Sequence, residues 1–86
     1  MKTLLFFSDP GHGWLAVEKD YLQALGIADK ISTCSYQKGN LAYLEEDCDA
    51  ALLIDAMKAK NIEFVIQEIY QENTPIRNYH SYNSTQ

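Results

Sequence analysis

What this chain lacks narrows it faster than what it holds. Seven basic residues against twelve acidic ones leave a net charge of −5. That is the wrong sign for a protein that grips phosphate backbones by releasing counterions, and nucleic acid is disfavoured as a partner. The acidic excess is also too mild for a nucleic-acid mimic. The longest apolar run near the start covers residues 4–7, far short of a membrane span or a signal-peptide core. No membrane partner is expected, and the cytoplasm is the expected compartment. The two cysteines, Cys34 and Cys48, show no C-x-x-C spacing. In a cytoplasmic protein they are expected as free, partly buried thiols rather than a disulfide.

Two prolines and four glycines are few turn-makers for 86 residues, and they are unevenly spent. One proline and two glycines fall in residues 8–17, together with one of two histidines and the only tryptophan. Pro10 presets its own φ, and Gly11 and Gly13 admit backbone angles closed to other residues. Such a loop is either a demanding turn or a small binding site. It has no lysine and runs from strand to strand, so it does not match a phosphate-binding loop.

The remaining composition, 47% hydrophobic and 22% charged, is that of a globular domain. A chain of this length buries a modest core. Residues 1–80 read as one domain and 81–86, polar and small, as a flexible tail. Residues 2–7 are apolar on both faces, as an interior strand should be. With 14–17 they form a hairpin. Residues 18–25 carry helix formers and end at Gly26, placed for a left-handed cap. Residues 31–36 alternate as a half-exposed strand, 37–40 turn, and 41–44 return. Residues 50–60 read as a helix with Asp47 or Asp49 as N-cap and Asn61 as terminator. Residues 62–70 are the last strand.

The order ββα-ββα-β predicts an α+β fold. One mostly antiparallel sheet of about five strands carries both helices on one face. The two ββα units read as a degenerate repeat. Leu5, Phe7, Leu22, Leu25, Leu53, Met57, Phe64 and Ile66 form the expected core. A sheet with helices on one face leaves the other needing cover, which keeps a homodimer open.

Three segments could carry function. Ser8, Asp9 and His12 hold the ingredients of a nucleophilic triad, but three members within one turn do not reach that geometry. Asp9 is expected to accept turn N–H groups, with Trp14 buried at the sheet end and His12 accessible. Glu45, Glu46, Asp47 and Asp49 offer oxygen ligands but fail the calcium-loop spacing. They are expected to cap a helix or to face a basic partner. No metal and no cofactor is expected. Arg77, Tyr79, His80 and Tyr82 fall where secondary-structure signals are weak, and arginine and tyrosine are favoured at interaction hot spots. They either anchor the chain end across the sheet or contact a partner.

The strings Phe7-Ser8-Asp9-Pro10-Gly11-His12-Gly13-Trp14-Leu15, Tyr43-Leu44-Glu45-Glu46-Asp47-Cys48-Asp49 and Ile76-Arg77-Asn78-Tyr79 carry a resemblance that spans nearly the whole chain. The sequence resembles a family of small proteins encoded by bacteriophages, prophages and plasmids. That family carries no established activity, so the resemblance implies a context and no catalytic residue.

The expectation is a non-enzymatic accessory protein that binds a host or phage protein inside the bacterial cell. Its candidate contacts are Asp9, His12, Trp14, Arg77, Tyr79, His80 and Tyr82. One alternative is a small-molecule or nucleotide binder using backbone amides of the loop 9–14, with Arg77 as counter-charge. The other is a single-stranded nucleic-acid binder stacking bases on Tyr36, Tyr43 and Tyr70.

Overall fold

The two-faced apolar run near the start of the chain folds as an interior strand in the computed structural model, which describes residues 1–85. This strand, β1 (Lys2–Ser8), pairs antiparallel with β2 (Gly13–Glu18) on one side. On the other it pairs parallel with β5 (Phe64–Tyr70). β3 (Tyr36–Lys38) and β4 (Leu41–Glu45) form a second hairpin, and β6 (His80–Ser81) adds a two-residue edge. The sheet order is β5-β1-β2-β4-β3-β6. The two hairpins meet at the antiparallel β2–β4 pair, so the two ββα units lie back to back.

The α+β fold with a mostly antiparallel sheet is therefore present, with six strands where five were expected and one parallel pair. The parallel pair has a simple origin. α2 (Ala50–Ala59) is a crossover helix that carries the chain from β4 back over the sheet to β5, the connection parallel strands need.

One sheet face packs under both helices. Leu4, Leu15, Val17, Ala42 and Leu44 meet Leu22 of α1 (Lys19–Ala24) and Leu53 and Met57 of α2. On the opposite face Trp14, Tyr43 and Ile76 form a second cluster, with Phe7, Tyr36 and Tyr79 at its margin. A 3₁₀ turn (Pro75–Asn78) supplies Ile76 and covers part of the face expected to lie open. Gly26 (φ 76°) ends the α1 region and Asn61 (φ 57°) ends the α2 region in the left-handed conformation, as their positions foretold.

Several expectations need correction. Residues 31–35 are a turn, not strand. The helices cover the Leu4 and Phe6 side of β1, so Leu5 and Phe7 are only half-buried, as are Leu25 and Phe64. Ile66 is 47% exposed because β5 is the sheet edge. In the segment 81–86, expected as a flexible tail, Ser81 and Tyr82 are tied to the fold while Asn83 and Thr85 are exposed. Ser81 pairs with Tyr36, and the buried Tyr82 joins the helix-side core and donates from its hydroxyl to the Ala28 carbonyl at 2.6 Å. Gln86, the last residue of that segment, lies outside the described residues. No helix among the described residues is long and apolar enough to cross a membrane.

Candidate functional site

The loop between β1 and β2 is organised by Asp9. Its carboxylate, 3% exposed, accepts hydrogen bonds at Oδ1 from the backbone N–H of Gly11 and of His12, each at 2.9 Å. Short side chains that bond backbone groups two and three residues on are the usual builders of such turns. From the far end of the chain, Arg77 closes on the same carboxylate as a fork. Its Nε donates to Oδ2 at 2.9 Å and its Nη2 to Oδ1 at 2.8 Å. Thr74 Oγ1 adds a longer bond to Oδ2 at 3.4 Å. The Arg77 hydrogen bond is the largest influence holding the Asp9 carboxyl well below the usual carboxylate range. Burial opposes it, and the His12 and Gly11 N–H groups reinforce it.

Arg77 also lies over the Trp14 indole, 5.4 Å from guanidinium carbon to ring centroid, within cation–π range. Two segments that the sequence marked separately are thus one structure. Beside it, the end of the sheet opens into a cleft of about 390 Å³ lined by His12, Trp14, Cys34, Tyr36, Glu45, Asp47, Cys48 and Arg77. Tyr36 stands edge-on to Trp14 at 6.4 Å between centroids, and His12 tilts over the indole at 6.0 Å. The His12 imidazole is about half exposed and donates from Nδ1 to Glu45 Oε2 at 3.3 Å, the only arrangement an ionised carboxylate accepts. Glu45 Oε1 accepts the backbone N–H groups of Asp47 at 2.7 Å and Cys48 at 3.1 Å.

The structure buries Trp14 at the sheet end and leaves His12 accessible, as expected. The Trp14 indole Nε1 is buried with no hydrogen-bond partner, the single side-chain nitrogen or oxygen so placed among the described residues.

Other candidates fall elsewhere. Tyr79 packs on Tyr43, 5.3 Å between centroids, with Lys38 Nζ 4.9 Å from its own ring centroid. His80 is exposed on β6 in a separate hollow with Lys38 and Pro75. Tyr82 is an anchor rather than a contact, since its ring is core and its hydroxyl is spent on Ala28. Asp49 occupies the N-cap position of α2 without capping it. Its buried carboxylate instead accepts hydrogen bonds from Ser32 N, Ser32 Oγ and Ser35 Oγ.

That bond set explains what the sequence missed. It pins the turn 31–35 against the start of α2 and so places Cys34 and Cys48 in the lining of one cleft. The thiols remain unbridged, as expected, but both are exposed rather than partly buried, and they share one wall of the cleft. The neighbouring Cys34, ahead of burial and the nearby Glu45, pushes the Cys48 thiol up to about 12. Nothing in the spacing of Ser32, Ser35 and Asp49 marks this placement. The available signal was only that the chain has two cysteines.

Glu45, Glu46 and Asp47 bring three carboxylate oxygens within 4.8 Å of one another. Glu45 Oε1 is already committed to two N–H groups, so the group reads as turn structure. Comparisons with protein-family models, curated proteins and solved structures find no match.

Proposed function

We propose that this chain is a small non-enzymatic binding module, an accessory protein of a phage or prophage that docks on a host or phage protein in the bacterial cytoplasm. The cleft beside the loop 9–14 is the docking site. The observation that carries this reading is the cleft of about 390 Å³, which combines aromatic surface (Trp14, Tyr36, His12) with the carboxylates of Glu45 and Asp47, a lining suited to an aliphatic or basic side chain.

The same geometry weighs against an anion-binding loop. The Gly11 and His12 amides and the Arg77 guanidinium that would hold a phosphate are already occupied by the Asp9 carboxylate. Base stacking is disfavoured as well. Tyr36 and Tyr43 pack in the Trp14–Ile76 cluster, and Tyr70 stands apart on β5.

The test compares tagged wild type with His12→Ala and Tyr36→Ala in affinity capture from infected cells, alongside thermal melting of all three. The supporting result is a protein enriched by wild type and lost with both variants, while the His12→Ala melting temperature holds. A nucleotide that raises the wild-type melting temperature would overturn the reading. So would capture that ignores both substitutions.

A further inference from the structure

β5 ends the sheet, and among the described residues it pairs with β1 alone. At its two ends the Glu63 carbonyl accepts from Lys2 N and Gln71 N donates to the Ser8 carbonyl, so its odd-numbered residues turn toward β1. By strand alternation the N–H and C=O groups of Phe64, Ile66, Glu68 and Tyr70 point outward. Beside this edge lies a groove of about 360 Å³ between β5 and α2, lined by Phe6, Leu15, Ala51, Ile54 and Ile66 with the exposed Glu46. Glu68 shares the Ile66 face of β5, two residues on. It is exposed, accepts from Ser8 Oγ at 2.8 Å and stands opposite Phe6 in the register with β1. Glu63 and Glu72 flank the strand, and residues 63–72 contain no lysine or arginine. Outward backbone groups, an apolar groove and a run of carboxylates thus meet at one edge.

We propose that β5 and the groove beside it receive an extended segment of a partner protein as an added strand. One apolar side chain of that segment enters the groove, and a lysine or arginine two residues away faces the carboxylates of Glu68 and Glu46. In strand addition the ladder bonds give affinity, while sites for alternate side chains give the choice of sequence. Residues two apart share a face of a strand, the spacing that separates Ile66 from Glu68. Charge selects the occupant. A second copy of this chain would set its own β5 carboxylates against these, and like charges opposed across a strand pair are destabilising. A basic segment gains where that copy loses. The groove shares no lining residue with the cleft around Trp14, so binding here does not depend on docking there.

The test follows amide hydrogen exchange of the full chain by NMR with a blocked heptapeptide in large excess. The probe is threonine throughout, except for a central valine with a lysine two residues to either side. Exchange is expected to slow at the outward amides of Ile66 and Glu68, and to change far less at Val65 and Gln67, which already face β1. Replacing both lysines of the probe by glutamate is expected to weaken binding at least tenfold. Ile66→Lys, with its fold checked by circular dichroism, is expected to do the same, whereas His12→Ala binds the probe as wild type does. Three results would overturn the proposal: no slowing with the lysine peptide, equal binding of the two peptides, or loss of binding in His12→Ala. Slowing at the same amides that grows with protein concentration and shuts out the peptide would overturn it too, by making a second copy the occupant.

Discussion

At the scale of single residues, Gly13 shows how a position is constrained by its neighbours rather than by its dihedral. Neither Gly11 nor Gly13 adopts a left-handed φ, although the turn invited that reading. What Gly13 needs is room: a Cβ there would lie 2.2 Å from Cζ of Phe6 and 3.0 Å from Glu46 Oε2. Phe6 is packed against the helix-side core and cannot simply swing away. Gly13→Ala is therefore expected to destabilise by about 1–3 kcal/mol through overpacking, read as a lower urea midpoint at unchanged slope. At Gly11 the nearest atom is the Arg77 Nη2 at 3.1 Å, the end of a long half-exposed side chain. Gly11→Ala should cost less than Gly13→Ala, and the reverse order would contradict this account of the loop. Tyr82 offers a second test. Tyr82→Phe keeps the buried ring and removes only the bond to the Ala28 carbonyl, an expected loss of about 1 kcal/mol in the same urea experiment.

At the scale of elements, the helices and the long strands were legible because their apolar periodicity is local and strong. Leu22, Leu53 and Met57 are buried as their spacing implied. What failed was long-range. The alternation of residues 31–36 looks like a strand, but Ser32 and Ser35 are held to Asp49 in a turn instead of a ladder. Residues 75–82 look irregular because their order comes from elsewhere: Arg77 from Asp9, Ser81 from Tyr36, Tyr82 from the core under α1. Half the candidate site was legible, the Asp9, His12, Trp14 and Arg77 part. Glu45 and Asp47 were marked as well, as carboxylates for a helix start or a basic partner, but that Cys34 and Cys48 join them in one cleft depended on the one buried carboxylate of Asp49.

β5 also shows what periodicity leaves out, since a strand pattern does not say which strand lies at an edge. Val65, Ile66 and Tyr70 are 46%, 47% and 58% exposed there, on a seven-residue edge strand without proline. Such edges template pairing with another chain, so this edge is where a second copy would pair. Val65→Lys is expected to reduce self-association, followed by light scattering against concentration, without lowering the melting temperature. Scattering that grows equally for both proteins would remove the edge as its cause.

At the scale of the whole molecule, the clamp between Asp9 and Arg77 joins the first hairpin to the last turn and makes stability depend on one carboxyl. Its folded pKa lies below its ordinary value of about 4, held there chiefly by the Arg77 hydrogen bond. A group depressed on folding contributes its full stabilisation above the unfolded pKa. The contribution drains as pH falls through the lower folded value, because the unfolded chain takes up the proton first. The consequence is specific. Asp9→Asn removes the titrating group, so the stability gap between wild type and variant should be widest near neutral pH. It should start to shrink only below about pH 4. Arg77→Lys replaces a fork with a point charge and should recover part of the gap left by Arg77→Ala but not all. Urea titrations from pH 7 to pH 2 at fixed ionic strength would read all four proteins. A gap between wild type and Asp9→Asn that stays constant across that range would mean the clamp is packing rather than charge.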